Sequence, residues 1–153
     1  MATVVDRNEL EKFIGQTAEP TDWHTITQEQ IDQFADCTLD HQFIHVDPEK
    51  AKQTMFGTTI AHGFLSLSML SHFASSYSLS IKGATMAINS GFDKVRFLSP
   101  VKVGSRIRAL ATFTDIKETK PGQFRILSNV TVEIEGEDTP ALVAEWIGIQ
   151  FVA

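Results

Sequence analysis

The stretch QTMFGTTIAHGFLSLSMLSHFASSYSLSI, Gln53 to Ile81, carries no Asp, Glu, Lys or Arg, and its second half decides the fold. From Phe64 to Tyr77 the apolar side chains Phe64, Leu65, Leu67, Met69, Leu70, Phe73, Ala74 and Tyr77 occupy several faces of a 3.6-residue helix. That is the pattern of a helix enclosed by protein, and a long half-buried sheet is its natural wrapping. A membrane span is a poor reading of the same residues. His72 and Ser66, Ser68, Ser71, Ser75, Ser76 and Ser78 interrupt the apolar surface, and no basic anchors flank it.

Outward from this segment, the 153 residues suffice for one domain with a real core and not for two plus a linker, so residues 1–153 are read as a single α+β domain. The start MATVVDRNEL has acids and no apolar run, which predicts a soluble protein of the cytoplasm. Cys37 is the single cysteine, so neither an intrachain disulfide nor a thiolate metal cluster is expected. The net charge of −6 speaks against nucleic acid as a partner. Its distribution says more. Residues 1–52 hold four basic and eleven acidic side chains, residues 82–125 nine basic and three acidic, and residues 126–153 five acids and no base. A positive middle block on an acidic protein suits either ordinary solvated strand faces or an anionic small ligand.

Taken in order, Asp6 is placed to cap a short helix that runs to Phe13 and ends at Gly15. Thr21 to Ile26 reads as a strand. Thr27 with Gln30 three residues on forms a capping box for a helix with Ile31, Phe34 and Ala35 inward, ending near Thr38. Beyond the central helix, Thr85 to Leu98 is a candidate strand. Pro100 and Gly104 mark a turn before a longer strand in which Ile107, Ala109, Ala111 and Phe113 alternate. Pro121-Gly122 turns the chain again. Phe124 and Ile126, then Val130, Val132 and Ile134, alternate with a change of phase between them that predicts a bulge, and Ala141 to Val152 supplies the last strand. Short turns between consecutive strands predict an antiparallel meander.

Proton-handling groups crowd one place: Asp36, Asp40, His41, His45 and Asp47. Asp47-Pro48 is an N-cap followed by proline in the first turn, so Asp47 has a structural task. His41 and His45 are spaced for a metal only if helical. The segment reads as a loop and lacks a zincin-type glutamate, so no metal is expected.

The run FADCTLDHQFIHVDPEKA, Phe34 to Ala51, resembles the hydratase motif of the MaoC-like (R)-specific enoyl-CoA hydratases, with Asp40 and His45 on the aspartate and histidine positions. The likeness continues through FGTTIAHGFLSLSMLS, 56–71, and KVRFLSPVKVGSRIRA, 94–109, and is nearest to the branch of nodulation protein N-like proteins. Where better-known members carry Asn-Pro, this chain has Gln42-Phe43, which changes loop rigidity and adds bulk near the substrate.

The resemblance implies the hot-dog fold, a long central helix wrapped by an antiparallel sheet, and a homodimer. It implies reversible addition of water to trans-2-enoyl-CoA, with Asp40 and His45 as the acid-base pair. The Gly63 amide, at the start of the helix, would hold the thioester oxygen. Ser71, Gln42, Phe43, His62 and Arg96 are the expected substrate-binding residues, with His62 structural rather than catalytic. Acyl-CoA is then the partner, with coenzyme A part of the substrate and no other cofactor. The CoA phosphates would call on cations among Lys94, Arg96, Lys102, Arg106 and Arg108, of which Arg106 and Arg108 share one strand face. Two alternatives stand beside this reading: a hot-dog thioesterase, in which Asp40 would activate water against the carbonyl, and a non-catalytic acyl-binding module.

Overall fold

The computed structural model describes residues 3–153. A short strand β1 (Thr3–Val5) leads into a 3₁₀ helix (Arg7–Phe13). Asp6 precedes that helix without capping it; its carboxylate instead lies 3.4 Å from the Lys82 ammonium. At its end Gly15 takes φ +83°, which glycine adopts without strain, and its N–H donates to the Phe113 carbonyl at 2.7 Å.

Of the strand expected over Thr21–Ile26, His24–Thr25 (β2) is regular, while Thr21 and Ile26 make single backbone bonds to Ala109 and Ser105, and Trp23 receives the Arg108 guanidinium 4.4 Å from its ring centre. Helix α1 (Gln28–Thr38) starts as predicted: the Thr27 hydroxyl accepts from the Gln30 N–H at 3.1 Å. The reciprocal half of the capping box is not made, since the Gln30 side chain bonds His24 and the Met69 sulfur instead. Two single turns follow, α2 (Phe43–Val46) and α3 (Pro48–Ala51), the latter capped by Asp47 through the Lys50 N–H. His45 therefore sits on a helical turn, where a loop was expected.

The central helix comes in two pieces, α4 (Gly63–Ser68) and α5 (Leu70–Tyr77), meeting at Met69. The Ser68 hydroxyl donates to the Phe64 carbonyl one turn back at 2.7 Å, a bond that competes with the backbone ladder and bends helices. Burial is one-sided. Leu65, Ser66, Leu70 and Phe73 face the sheet, while Phe64, 67% exposed, continues with Ser68, Ser71 and Ser75 as an open face. The expectation of a helix enclosed on several faces thus fails for the single chain: the sheet covers one side of it.

After β3 (Leu79–Ile81), which pairs in parallel with β1, come the four long strands β4 (Ala84–Phe97), β5 (Arg106–Lys120), β6 (Gln123–Ile134) and β7 (Leu142–Val152). Their sheet runs β2-β5-β6-β7-β4 and its strand pairs are antiparallel. The predicted meander holds for β5, β6 and β7. It fails for β4, which lies beside β7 at the far edge, so residues 98–105 cross the end of the sheet instead of making a turn. Six of those residues are tied by backbone bonds to residues outside the segment, for example Leu98 N–H to the Ala141 carbonyl at 2.9 Å and Gly104 N–H to that of Ile26 at 2.7 Å.

The predicted bulge exists on the neighbouring strand. Phe113 faces Ser128 and Asp115 faces Leu127, leaving Thr114 as the extra residue of β5. On β6 the inward series Phe124, Ile126, Ser128, Val130, Val132, Ile134 keeps one phase, with the buried serine filling the gap that read as a phase change.

The concave face of the sheet meets α4 and α5 in the main core, where Leu65, Leu70 and Phe73 pack among Ile107, Ala109, Val130, Val132 and Leu142. A second cluster around Phe113, Ile116 and Phe124 anchors β1 and β3. A curled antiparallel sheet holding a central helix is the hot-dog fold. Among the described residues no helix is long and apolar enough to cross a membrane.

Candidate active site

Three side chains from two segments converge where α2 meets the start of α4. A carboxylate oxygen of Asp40 and one ring nitrogen each of His45 and His62 lie within 4.8 Å of one another. His45 is 7% exposed, and its Nδ1 donates to the Ile60 carbonyl at 2.7 Å. That bond places the proton on Nδ1 and leaves the Nε2 lone pair free to accept one. Burial lowers the pKa of His45 from its ordinary value; the Ile60 bond opposes this, the neighbouring His62 adds to it, and the Asp40 carboxylate works against it. The turn that carries His45 is itself held from α1, whose Gln28 amide donates to the His45 carbonyl at 2.7 Å while accepting from the Thr59 hydroxyl.

Asp40 follows Leu39, which ends α1 in the left-handed region at φ 62°. Its side chain is 54% exposed and accepts one long bond, from the Gln42 N–H at 3.4 Å. His62, at 3% exposure, is the N-cap position of α4; its Nε2 donates to the Asp40 backbone carbonyl at 3.0 Å and lies 4.0 Å from the carboxylate.

A cavity of about 250 Å³ opens beside His45, lined also by Gly63, Ser66, Phe97, Pro100 and Val101. Gly63 is the first residue of α4, so its N–H has no intrahelical acceptor. A Cβ added there would lie 3.0 Å from Cδ1 and Cε1 of the Phe97 ring, which explains glycine by close approach rather than by backbone conformation.

Of the expected site residues, the structure brings Asp40 and His45 together, and it sets His45 and Gly63 on one cavity that Asp40 does not line. Ser71 lies elsewhere: it lines a larger cavity of about 380 Å³ between α5 and the sheet, where Asn89 donates to its hydroxyl at 3.3 Å. Gln42 and Phe43 are exposed beside the site, and Gln42 contributes through its backbone. His62 does not line the cavity; it is packed behind it, its ring on that of His45. Arg96 is exposed on β4, its guanidinium on the Val95 carbonyl at 2.9 Å.

Arg106 and Arg108 do share a strand face, and both are spent there on Glu135 (3.1 Å) and Glu133 (2.7 Å). Among the described residues Lys94, Arg96 and Lys102 have no carboxylate within salt-bridge reach. Sequence reasoning missed Ser66, read only as one of six interrupting serines, and missed the cavity wall from Phe97 to Val101. Ser66 had a signal, since it stands one helical turn after Gly63.

The same three side chains form a carboxylate-and-two-histidine group, yet their donors are badly aimed for a cation. The rings of His45 and His62 stack at 3.8 Å between centroids and 23° between planes, so their lone pairs lie in nearly parallel, separate planes. A metal bonded at about 2 Å must lie in the plane of each ring, which stacked rings do not allow. His41, the other histidine of the motif, pairs with Asp36 at 2.8 Å on the surface.

Residues 9–134 match the family described as the MaoC like domain. The chain is 44% identical over 153 residues, all of both chains, to 3-hydroxyacyl-thioester dehydratase Z of Mycobacterium tuberculosis. It is 49% identical over 137 residues to nodulation protein N of Rhizobium leguminosarum bv. viciae, covering 89% of this chain and 85% of that one. To the (R)-specific enoyl-CoA hydratase of Rhodospirillum rubrum it is 35% identical over 118 residues, 75% and 78% of the two chains. In three dimensions it is similar to the monoamine oxidase regulatory protein of Archaeoglobus fulgius, with TM-score 0.75 at 26% identity over 92% and 91% of the chains. On a match spanning most of its length and full-length relatives at this identity, the chain belongs to the MaoC-like family.

Proposed function

We propose that the protein is a hydro-lyase that adds water reversibly to trans-2-enoyl-CoA, giving the (R)-3-hydroxyacyl thioester, and removes it in the reverse direction. One observation carries the reading: His45 is held with Nδ1 donating to the Ile60 carbonyl, which leaves Nε2 to accept a proton, and its ring lies within 4.8 Å of an Asp40 carboxylate oxygen. His45 Nε2 takes a proton from water while the water oxygen bonds to C3 and the C2–C3 π electrons move toward the thioester oxygen. The Gly63 N–H holds the resulting enolate. Collapse of the enolate draws the proton from the imidazolium to C2, which returns His45 to its starting state. Asp40 holds the water and favours the imidazolium while it exists. The addition is redox-neutral, so CoA enters as part of the substrate and no redox cofactor is called for.

Acyl-CoA enters past Phe97 and Leu98. Arg96 and Lys102 bracket that wall and are the cations best spared for the CoA phosphates. The relatives named for dehydration and hydration of such thioesters support the same chemistry. A homodimer in the cytoplasm completes the reading. Its support is the uncharged open face of the central helix beside β4, a sheet-edge strand on which Met86 and Ile88 are 53% and 44% exposed.

The test is a spectrophotometric assay of purified protein with crotonyl-CoA and longer trans-2-enoyl-CoAs, following loss of the enoyl absorbance. Turnover is expected. Release of free CoA from a saturated acyl-CoA would replace this reading with a thioesterase, and silence toward every thioester would leave an acyl-binding module.

A further inference from the structure

His62 takes no part in the proton transfers, yet it is 3% exposed and imidazole is a polar group, buried at a cost unless both nitrogens find partners. Only one does. Nε2 donates to the Asp40 carbonyl at 3.0 Å, whereas Nδ1 is buried without a partner among the described residues. A phenylalanine would fill this volume with no orphaned ring nitrogen and would give up only the bond to the Asp40 carbonyl, so packing alone does not account for an imidazole here.

Its two close contacts do. One reaches the backbone of Asp40; the other is the 3.8 Å stack on the His45 ring. Both groups need such support. The Asp40 carboxylate is mostly in solvent, held by a single 3.4 Å bond, and is approached through a left-handed leucine, a conformation unfavourable for any residue with a Cβ. His45 is fixed at one nitrogen, about which its ring is free to tilt until something covers its face.

We propose that His62 is a positioning residue that clamps Asp40 and His45 into one unit, its Nε2–H holding the Asp40 backbone and its ring setting the plane of His45. The inference rests on the reading of Asp40 and His45 as the acid-base pair. Two consequences follow from the contacts. Loss of the donor slackens Asp40, which slows chemistry and leaves binding alone. Loss of the second imidazole also changes the charge seen by His45, for which His62 and Asp40 are the neighbouring titratable groups.

Two variants separate the contacts. His62→Phe keeps the stack and loses the donor; His62→Gln keeps an N–H at the Nε2 position and loses the ring. With crotonyl-CoA, His62→Phe is expected to lower kcat by about 10- to 100-fold with KM changed by less than about 3-fold. His62→Gln should recover part of that loss, the remainder being the share of the lost stack. An NMR titration of the His45 ring should give a raised pKa in both, since each removes an imidazole that disfavours the His45 proton.

The clamp is overturned if His62→Phe keeps wild-type kcat, if His62→Gln is no better than His62→Phe, or if the loss falls on KM. Should His62→Phe fail to fold, His62→Gln with kcat lowered by less than about 10-fold, KM unchanged and a raised His45 pKa supports the clamp, and wild-type kcat or an unmoved pKa sinks it. A wild-type protein silent toward every thioester refutes the hydratase reading alone. The His45 titration then still decides, a shift supporting the clamp and its absence overturning it.

Discussion

The cluster around His45 and the open flank formed by β4 with the outer face of the central helix are opposites in completion. In the cluster the supporting bonds are made within the chain: His45 Nδ1 to the Ile60 carbonyl, Gln28 to the His45 carbonyl, His62 Nε2 to the Asp40 carbonyl, and Thr59 to Gln28. On the flank, β4 is exposed or half-buried along its whole length and ends the sheet, and the facing helix surface is uncharged but open. The contrast teaches that the chain closes the cluster with its own bonds and leaves the flank uncovered, which is the face through which the proposed dimer would form. Geometry at the cluster depends on hydrogen bonds within the chain; geometry at the flank depends on what covers it.

The largest effects should come from the cluster. Asp40→Asn and His45→Ala are each expected to lower kcat by about 100- to 10,000-fold without unfolding the chain, as measured by the enoyl-absorbance assay beside circular dichroism. An active double variant would place the chemistry elsewhere. Next comes Gly63→Ala, whose Cβ meets the Phe97 ring at 3.0 Å and pushes either that wall or the thioester away from the helix start. A loss of about 10- to 100-fold in kcat/KM is expected, with Phe97→Ala in the same chain restoring part of it.

On the flank, Met86→Lys should weaken self-association by at least about 10-fold, or roughly 1.4 kcal/mol, in sedimentation velocity. The His45 titration should not move in that variant, and a shift would show that the cluster is not complete within one chain. The smallest effect is in stability. Because burial depresses the folded-state pKa of His45, unfolding takes up a proton as pH falls. Its contribution to stability is fully present above about pH 6.5 and is lost as pH drops from there through the folded value. Thermal midpoints between pH 7.5 and 5 should therefore fall less steeply for His45→Gln than for wild type.

What the sequence made legible is what is local. Thr27 and Asp47 cap where capping chemistry says they should, because a cap needs only its own next three residues. The β5 to β7 hairpins follow from alternation and short turns. The pairing of Asp40 with His45, and of His45 with Gly63, came from the family motif, and no spacing rule would have supplied it. The misses are all matters of partner. Nothing in 84–97 says that its neighbour is β7 and not β5, since the strand is half-exposed and so carries little pattern. Ser128 broke an apolar alternation that continued through it, and the true bulge at Thr114 hides in a polar run. The break in the central helix at Met69 follows the Ser68 hydroxyl's bond to the Phe64 carbonyl, and that serine is indistinguishable in sequence from the five others.

Residues 98–105, which carry the chain from β4 at one edge of the sheet across to β5 near the other, also set an order of events. β5, β6 and β7 form from neighbouring hairpins, whereas β4 must wait for β7, about fifty residues later in the chain, before it has anything to pair with. The wall of the cavity from Phe97 to Val101 hangs on that late pairing, and Ala61, just before the start of the central helix, donates to Val101 at 2.7 Å. Refolding should accordingly pass through a chain with its hairpins made and its cavity unwalled. The competence to bind thioester would then return after the bulk of the secondary structure, at the rate of a long loop closing.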